Sequence, residues 1–455
     1  MPASATATTS LDEPVFGSFV SGVALTFGTR LLMLVGVFGS GLIVARWLGP
    51  EGFGTYAVLN VTVALALQIG SAGLPSANTY FIARDRSTAG PIWANAIVFG
   101  LSIGVLLTMV VMALAWMKPA LFGGVSLKLL AIAAAAIPSQ LLFLLALNVL
   151  LALDRLRQLN LFDALLPALV LVNVVIALVL LHQELFFLIL LNTVAGTLLT
   201  LVVALYLRRV VVEQKQSRGI RPDARLLKAM VAYGVKFYIS IMAGVIILRT
   251  DLLIVNRFRG AAEAGVYGVA SQFSFLLLML PGVIATLLFP RVAASQDTHG
   301  EFAVRVTRHA TLIMLLTCAG AAGLAFLLPF IYGARFSDAT VQLLLLLPGI
   351  FLMGLESVLV QHFTGTGLPM AIPVFWIVTV ICNIGLNLLV VPRFGARGAA
   401  VTSTLSYALI FVLVAVYFRV KTGRSASETF ILRIHELRSL LRLQPAISSP
   451  SKASS

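Results

Sequence analysis

Six ionisable side chains lie within long apolar stretches of this sequence, where a charge is costly. Three are cations and three are acids: Arg30, Lys236, Arg249, Asp163, Asp251 and Glu356. A charged side chain at the centre of a membrane helix costs about 2.5–3.5 kcal/mol even on the scale derived from insertion experiments. Such residues face a protein interior or a water-filled cavity, where they bind ions or pair with one another.

The depth of each cation within its apolar run separates two interpretations. Arg30 is eleven residues into its run, and Arg249 is about seven residues from the end of a long one. These depths favour a cavity role for both arginines. Lys236 lies nearer a helix end, where its alternative is to snorkel to the membrane surface. Arg30, Arg249 and Lys236 are the candidate substrate-binding cations.

The three acids are candidate ion-coupling groups or charge partners of these cations. Arg249 and Asp251 are two positions apart, about 200° around a helix, so they are not expected to pair with each other. Glu356 fits a proton site and a partner for a cation equally well. Asp163 lies near a helix end and, like Lys236, has snorkelling as its alternative.

The elements that position these charges are membrane helices. The chain of 455 residues is 60% hydrophobic and only 11% charged, against about 25% charged residues in soluble domains. Its apolar runs mostly reach 20 residues or more, the length that crosses a bilayer. We predict an all-α polytopic membrane protein after a disordered segment at 1–14. The twelve predicted spans are about 19–45, 56–83, 91–117, 127–153, 161–181, 185–207, 228–256, 266–290, 309–332, 340–362, 371–391 and 398–419.

A sequence pattern occurs twice, about 211 positions apart. The coinciding pairs are Arg46/Arg257, Gly49/Gly260, Gly54/Gly265 and Tyr56/Tyr267, and farther on Pro138/Pro348 and Asn173/Asn383. One offset serves three separate regions, which indicates a duplication. Six predicted spans fall in each copy, so both copies enter the membrane in the same direction. We predict two parallel six-helix bundles at 15–207 and 228–420, joined by a basic cytoplasmic linker at 208–227.

The distribution of basic residues predicts the orientation. The amino end, the even-numbered loops and the tail carry 21 lysines and arginines, and the other loops carry 8. The positive-inside bias places both termini in the cytoplasm. In the tail at 421–455, Ser425 and Glu428 have the spacing of a capping box. Apolar and basic residues then recur on opposite sides, which predicts an amphipathic helix at about 427–443 on the membrane surface.

The motifs of several function classes are absent from the sequence. There is no phosphate-binding GxxxxGK[ST] segment, and no predicted loop exceeds about 21 residues. The five histidines show no metal-ligand spacing, and no nucleophile lies beside a base. We therefore expect no enzyme activity, no cofactor and no bound metal. The net charge of +15 fits the cytoplasmic face of a membrane protein rather than a nucleic-acid partner.

Three stretches resemble a known family. They are residues 42–56 (LIVARWLGPEGFGTY), their echo at 260–267 (GAAEAGVY) and residues 391–400 (VPRFGARGAA). Over about 15–420 the chain resembles bacterial polysaccharide exporters. These are the O-antigen and exopolysaccharide-unit flippases of the multidrug/oligosaccharidyl-lipid/polysaccharide exporter superfamily. The resemblance implies two six-helix bundles around a central cavity, and basic residues in that cavity, which Arg30 fits.

The resemblance also implies a function. Such a protein flips an undecaprenyl-pyrophosphate-linked oligosaccharide across the bacterial inner membrane by alternating access, for lipopolysaccharide or another cell-surface polysaccharide. Its partners would be this lipid-linked substrate, membrane lipids and other polysaccharide assembly proteins. One alternative is a cation-coupled drug or small-molecule antiporter of the same superfamily, which usually has acidic cavity residues. The other is a membrane glycan polymerase or ligase, which typically has one long external catalytic loop.

Overall fold

A computed structural model describes the backbone of residues 13–214, 218–295, 300–366 and 369–431. Side chains are described in the same ranges except at 13–27, 31, 235–237, 283, 285–295 and 365–366. All regular structure within these ranges is helical. The fourteen α-helices are α1 (Glu13–Ser71), α2 (Leu74–Arg84), α3 (Ala89–Met117), α4 (Leu127–Ala135), α5 (Ile137–Ala152), α6 (Leu156–Val174), α7 (Leu185–Glu213), α8 (Ala224–Arg259), α9 (Ala261–Ser295), α10 (Glu301–Ala325), α11 (Leu328–Tyr332), α12 (Asp338–Thr366), α13 (Ala371–Thr422) and α14 (Ala426–Phe430).

Ten helical segments in the described residues are long and apolar enough to cross a membrane. Two of them hold two predicted spans each, because α1 bends at Gly49 and α13 bends at Gly395. A straight helix of 52 residues, the length of α13, would measure roughly 78 Å, far more than the hydrocarbon thickness of about 30 Å. The prediction of a polytopic all-α protein with about twelve spans is confirmed.

The corner glycines of the duplicated pattern share one unusual backbone conformation. Gly49 has φ 66° and ψ −173°, and its counterpart Gly260 has φ 87° and ψ 172°. Essentially only glycine occupies this region of backbone space. Pro50 follows Gly49 and restarts the helix, since proline tolerates the first helical turn. The two copies therefore turn the chain between adjacent spans in the same way.

A second pair of turns extends the duplication. Pro119 opens a short 3₁₀ turn that ends at Gly123, and Pro329 opens α11, which ends at Gly333. Both glycines have positive φ, 57° and 106°. These residues stand 210 positions apart, the offset of the other repeated pairs. The structure thus adds a fourth region to the three from which the repeat was inferred.

The chain forms two compact units. The first comprises Met1–Ser271, Phe326–Gln342 and Trp376–Ser403, and the second comprises Gln272–Ala325, Leu343–Phe375 and Thr404–Ser455. The predicted division into bundles at 15–207 and 228–420 stays a prediction.

Within the first unit, the two copies of the pattern touch each other. A Cβ atom built on Gly54 would stand 1.7 Å from the carbonyl oxygen of Ala261, and one built on Gly265 would stand 2.0 Å from that of Pro50. Each glycine therefore permits a backbone approach that any side chain would block. This is a physical reason for both glycines of the repeated pair.

The corners also exchange hydrogen bonds. Arg46, in the first copy, donates to the carbonyl oxygens of Phe330 and Ile331 in α11 at 2.8 and 2.6 Å. Asn256, in the second copy, donates to the carbonyl oxygen of Phe122 at 2.8 Å. Terminal carbonyls of a short helical turn lack intrahelical donors and take partners from elsewhere. Each copy therefore satisfies a turn that belongs to the other copy.

The linker begins later than the sequence indicates, because α7 continues to Glu213 and α8 starts at Ala224. Asp223 caps α8 through its carboxylate, and its backbone exchanges two hydrogen bonds of 2.9 Å with the amide of Asn95. Arg218 pairs with Asp85 at 3.3 Å. Two hydrogen bonds from Ser87, one from its side chain and one from its backbone, hold the pKa of the Asp85 carboxyl below its usual value, with a further contribution from Arg218.

The second unit contains the start of the tail. Ser425 and Glu428 form the predicted capping box at the start of α14, and Phe430 packs on Phe411 of α13 with ring centroids 5.3 Å apart. The helix ends at Phe430 because Ile431 is extended. Residues 432–455, which hold the rest of the predicted helix at 427–443, lie outside the described residues.

Candidate functional site

Arg30 of α1 and Asp163 of α6 form an ion pair in the first unit. The guanidinium Nη1 lies 3.3 Å from the carboxylate Oδ2, and the two side chains are 54% and 26% exposed. In the sequence analysis, Arg30 was a candidate substrate-binding cation and Asp163 a candidate ion-coupling group or charge partner. The structure brings the two side chains together. Arg30 also contacts the thioether sulfur of Met33 at 3.7 Å. Because more than half of the Arg30 side-chain surface is exposed, the side chain remains accessible to a ligand while it is paired.

Close helix packing sets the register of this pair. A Cβ atom on Gly36 of α1 would stand 2.9 Å from the carbonyl oxygen of Pro167 in α6, and one on Gly39 would stand 3.2 Å from Leu171. These contacts lie one to three turns from the ion pair along each helix. Pro167 lacks an amide hydrogen, so the carbonyl of Asp163, four residues earlier, has no intrahelical donor. Asp163 thus presents a backbone acceptor as well as its carboxylate.

Asp251 of α8 has a different environment. It is 1% exposed, and its carboxylate accepts hydrogen bonds from the hydroxyl of Tyr267, from the hydroxyl of Ser403 at 3.0 Å and from the backbone N–H of Leu252 at 2.8 Å. Such donors stabilise a buried carboxylate. The network joins α8, α9 and the second half of α13, which is the arrangement of a structural group.

We expect Asp251→Ala to lower the thermal stability and the membrane abundance of the protein. The substitution would leave the buried hydroxyls of Tyr267 and Ser403 without their acceptor, at a cost of about 1–3 kcal/mol for each group. Thermal unfolding in detergent measures the effect. The matched control is Asp154→Asn, since the Asp154 side chain is 77% exposed and asparagine tolerates the positive φ of this position. Equal melting temperatures of the two variants would contradict a structural role for Asp251.

The structure gives less detail for the other two candidate substrate-binding cations, Arg249 and Lys236. Arg249 is partly buried on α8, two residues before Asp251. Lys236 belongs to the same helix, but its side chain lies outside the described residues.

Glu356 of α12 lies in the second unit and is 1% exposed. Its Oε1 atom has no hydrogen-bond partner among the described residues. The adjacent Leu355 belongs to an apolar cluster with Val358 and Ala310 of α10. Burying an ionised carboxylate costs several kcal/mol, so Glu356 is a candidate for a role that depends on an ionisable group.

Arg308 is a buried charge that the sequence analysis missed. It is 9% exposed in α10, whereas the predicted span begins at 309. Glu301 lies in the first turn of α10, and an acidic residue is typical of a helix start. This signal in the sequence would have placed the start of the helix before Arg308. Searched over the described residues, no group of three His, Cys, Asp or Glu side chains could hold a metal ion.

Comparison with known sequences gives a family match and two relatives. The family model described as polysaccharide biosynthesis protein matches residues 19–296. A probable low-salt glycan biosynthesis flippase of Haloferax volcanii is 22% identical over 203 residues, 43% of each chain. A second probable flippase of the same organism is 28% identical over 171 residues, 36% of each chain. The aligned part is less than half the length of either relative.

Comparison with solved structures gives close matches in fold. A lipid II flippase in an inward closed conformation superposes with a TM-score of 0.73 at 14% identity, covering 88% of this chain and 87% of that one. An inward-facing multidrug transporter of the MATE family superposes with a TM-score of 0.71 at 16% identity, covering 88% and 98%. This multipass membrane chain therefore shares a two-repeat transporter fold.

Proposed function

This chain belongs to the polysaccharide biosynthesis protein family, and from that membership we propose that it flips a lipid-linked oligosaccharide across the membrane. The substrate is an undecaprenyl-pyrophosphate-linked glycan, carried from the cytoplasmic to the outer leaflet of the bacterial inner membrane by alternating access. The product serves a cell-surface polysaccharide such as O-antigen, lipopolysaccharide or exopolysaccharide, in concert with other assembly proteins. The two flippase relatives and the flippase fold support this proposal.

The observation that carries the proposal is the accessible guanidinium of Arg30 in a membrane helix. The contact with Asp163 joins Nη1 to Oδ2 at 3.3 Å, and the side chain of Arg30 is 54% exposed, so guanidinium donors can also reach a ligand. A diphosphate suits these donors, because arginine binds phosphate oxygens through two parallel hydrogen bonds. We assign Arg249 and Lys236 to the same anion, and Asp251 to the structure of the cavity wall. Glu356, whose buried Oε1 atom has no hydrogen-bond partner in the described residues, is the candidate ion-coupling group.

A cation-coupled antiporter for small molecules is the second candidate. The multidrug transporter fold favours it, as does the presence of carboxylates in membrane helices. A cationic drug, however, requires an acid free to receive it, and Arg30 already neutralises Asp163. A glycan polymerase or ligase is less favoured, since no predicted loop offers a long catalytic segment.

Transport by the purified protein tests the proposal. Reconstituted into vesicles, it should move a fluorescent diphosphate-linked glycolipid between leaflets at a rate well above that of empty vesicles. A cationic dye should not move. Transport of the dye without the glycolipid would support the antiporter instead.

The proposed orientation has its own test, which rests on the excess of basic residues on one side. A reporter fused after Arg218 in the linker should be active only if it is a cytoplasmic reporter. A fusion after Gly124, between spans three and four, should give the opposite result. Gly124 suits the control because no atom lies within 4 Å of a Cβ built there. Periplasmic activity at Arg218 would overturn the orientation.

A further inference from the structure

We propose that Asp163 is a resident counter-ion of Arg30, which the diphosphate of the substrate displaces from the guanidinium during transport. This inference rests on the proposed function and adds a positioning residue to it. In the empty protein the carboxylate holds Arg30 in place. In the loaded protein, phosphate oxygens replace the carboxylate on the same donors. When the substrate leaves, the carboxylate returns.

The geometry of the ion pair supports displacement rather than permanent pairing. The two charged groups meet through one nitrogen and one oxygen at 3.3 Å, longer than the 2.7–2.9 Å that is typical of a tight charge-assisted hydrogen bond. Neither side chain is enclosed by protein, since the two are 54% and 26% exposed. In the water-filled cavity that the proposed function requires, an exposed pair of this kind is weak, so a dianionic or trianionic ligand can compete with a single carboxylate.

The contrast with Asp251 strengthens the assignment. Asp251 is almost completely buried, and three donors hold its carboxylate. Arg30 is the charged partner that the described residues supply to Asp163. A structural carboxylate would be expected to be buried and held by several donors, as Asp251 is. Among the described residues, the ion-pair partner of Asp163 is Arg30, which is the proposed anion-binding group.

A rigid backbone surrounds this labile contact. Gly36 and Gly39 allow α1 to pack closely on α6, because a Cβ atom on Gly36 would stand 2.9 Å from the carbonyl oxygen of Pro167 and one on Gly39 would stand 3.2 Å from Leu171. The side chains can therefore separate by rotation while the helices keep their register. The exchange requires no rearrangement of α1 against α6, which allows Arg30 to return to the same partner.

Neutralising the carboxylate should strengthen ligand binding. We expect Asp163→Asn to bind farnesyl diphosphate about three- to tenfold more tightly than the unaltered protein at low ionic strength, because the internal competitor is removed. The gain should shrink in high salt, where exposed charges are screened. In transport, the same variant should show a lower KM and a lower maximal rate, since the bound anion has no carboxylate to replace it on departure.

A double-mutant cycle separates exchange from a general field effect. Arg30→Gln should weaken the binding of farnesyl diphosphate. Adding Asp163→Asn to this variant should not raise the affinity again, because the acid acts through Arg30. Asp163→Glu keeps the charge and should keep an affinity close to that of the unaltered protein. Asp154→Asn is the matched surface control, since Asp154 forms an exposed pair with Arg86 at 2.8 Å, and it should change nothing.

Several results would overturn the inference. Unchanged or weaker binding by an Asp163→Asn variant with a normal melting temperature would do so, as would a gain in affinity that persists without Arg30. If Asp163→Asn fails to fold, the melting temperature of Asp163→Glu decides: a counter-ion predicts a normal value, and a markedly lower value would show a purely structural acid and overturn the inference. Failure of the unaltered protein to bind farnesyl diphosphate or move the glycolipid would refute the proposed function itself.

Discussion

Replacing Arg30 and Arg249 together with alanine is expected to abolish glycolipid transport while the protein still accumulates in the membrane. Hydrogen bonds to a charged group contribute about 1.5–3 kcal/mol each. The loss of two bidentate contacts thus reduces transport by roughly 100-fold or more. Each single variant should retain a fraction of the activity. Complementation of a flippase-deficient strain, scored beside membrane abundance, measures both quantities.

Replacing Arg30 with lysine rather than alanine separates the effect of the positive charge on transport from the effect of the guanidinium geometry. Lysine at position 30 keeps the positive charge but lacks the planar fork of the guanidinium, so it should restore transport only in part. Arg86→Ala removes an arginine from an exposed ion pair and should leave transport unchanged. Normal export by a well-expressed double alanine variant would refute a cationic binding site.

Adding one methyl group at Gly54 is expected to remove most of the folded protein. The new Cβ would stand 1.7 Å from the carbonyl oxygen of Ala261 and 2.9 Å from the amide nitrogen of Gly265. Backbone atoms cannot move aside as flexible side chains do, so the cost exceeds the roughly 1–3 kcal/mol that is typical of overpacking. Membrane abundance and melting temperature of Gly54→Ala measure the effect.

Gly320→Ala is the matched control for this prediction. No atom lies within 4 Å of a Cβ built at Gly320, which is inside α10. The same methyl group there should be neutral or stabilise the helix by up to about 1 kcal/mol, because alanine is the better helix former. Equal behaviour of the two variants would show that the contact between the corners is dispensable.

The duplicated pattern was readable because its glycines answer to local backbone requirements. Gly49 and Gly260 occupy a conformation closed to other residues, so their spacing is visible in the sequence. The capping box of Ser425 and Glu428 was readable for a similar reason, since it involves neighbours on one helical turn. Local chemistry of this kind leaves a pattern that requires no knowledge of the tertiary structure.

The side-chain networks left no such pattern. Arg30 and Asp163 are separated by 133 positions, and their pairing depends on how α1 packs on α6. The network of Asp251 draws on Ser403, which is farther away still. Nor does the repeat help, because the position 211 residues before Asp251 is Ser40. Only the second copy carries this carboxylate, and comparing the copies could not reveal its partners.

The exchange of hydrogen bonds between the corners has a consequence for biogenesis. Arg46 leaves the ribosome long before Phe330 and Ile331, whose carbonyls it binds, and Phe122 precedes the Asn256 that binds it. During synthesis, the amino-terminal copy therefore waits with an unpaired guanidinium and an unpaired carbonyl until the second copy inserts. A nascent chain that stops at the linker retains both defects, so synthesis must continue through Ile331 before this region matures. The corners couple maturation of the first copy to synthesis of the second.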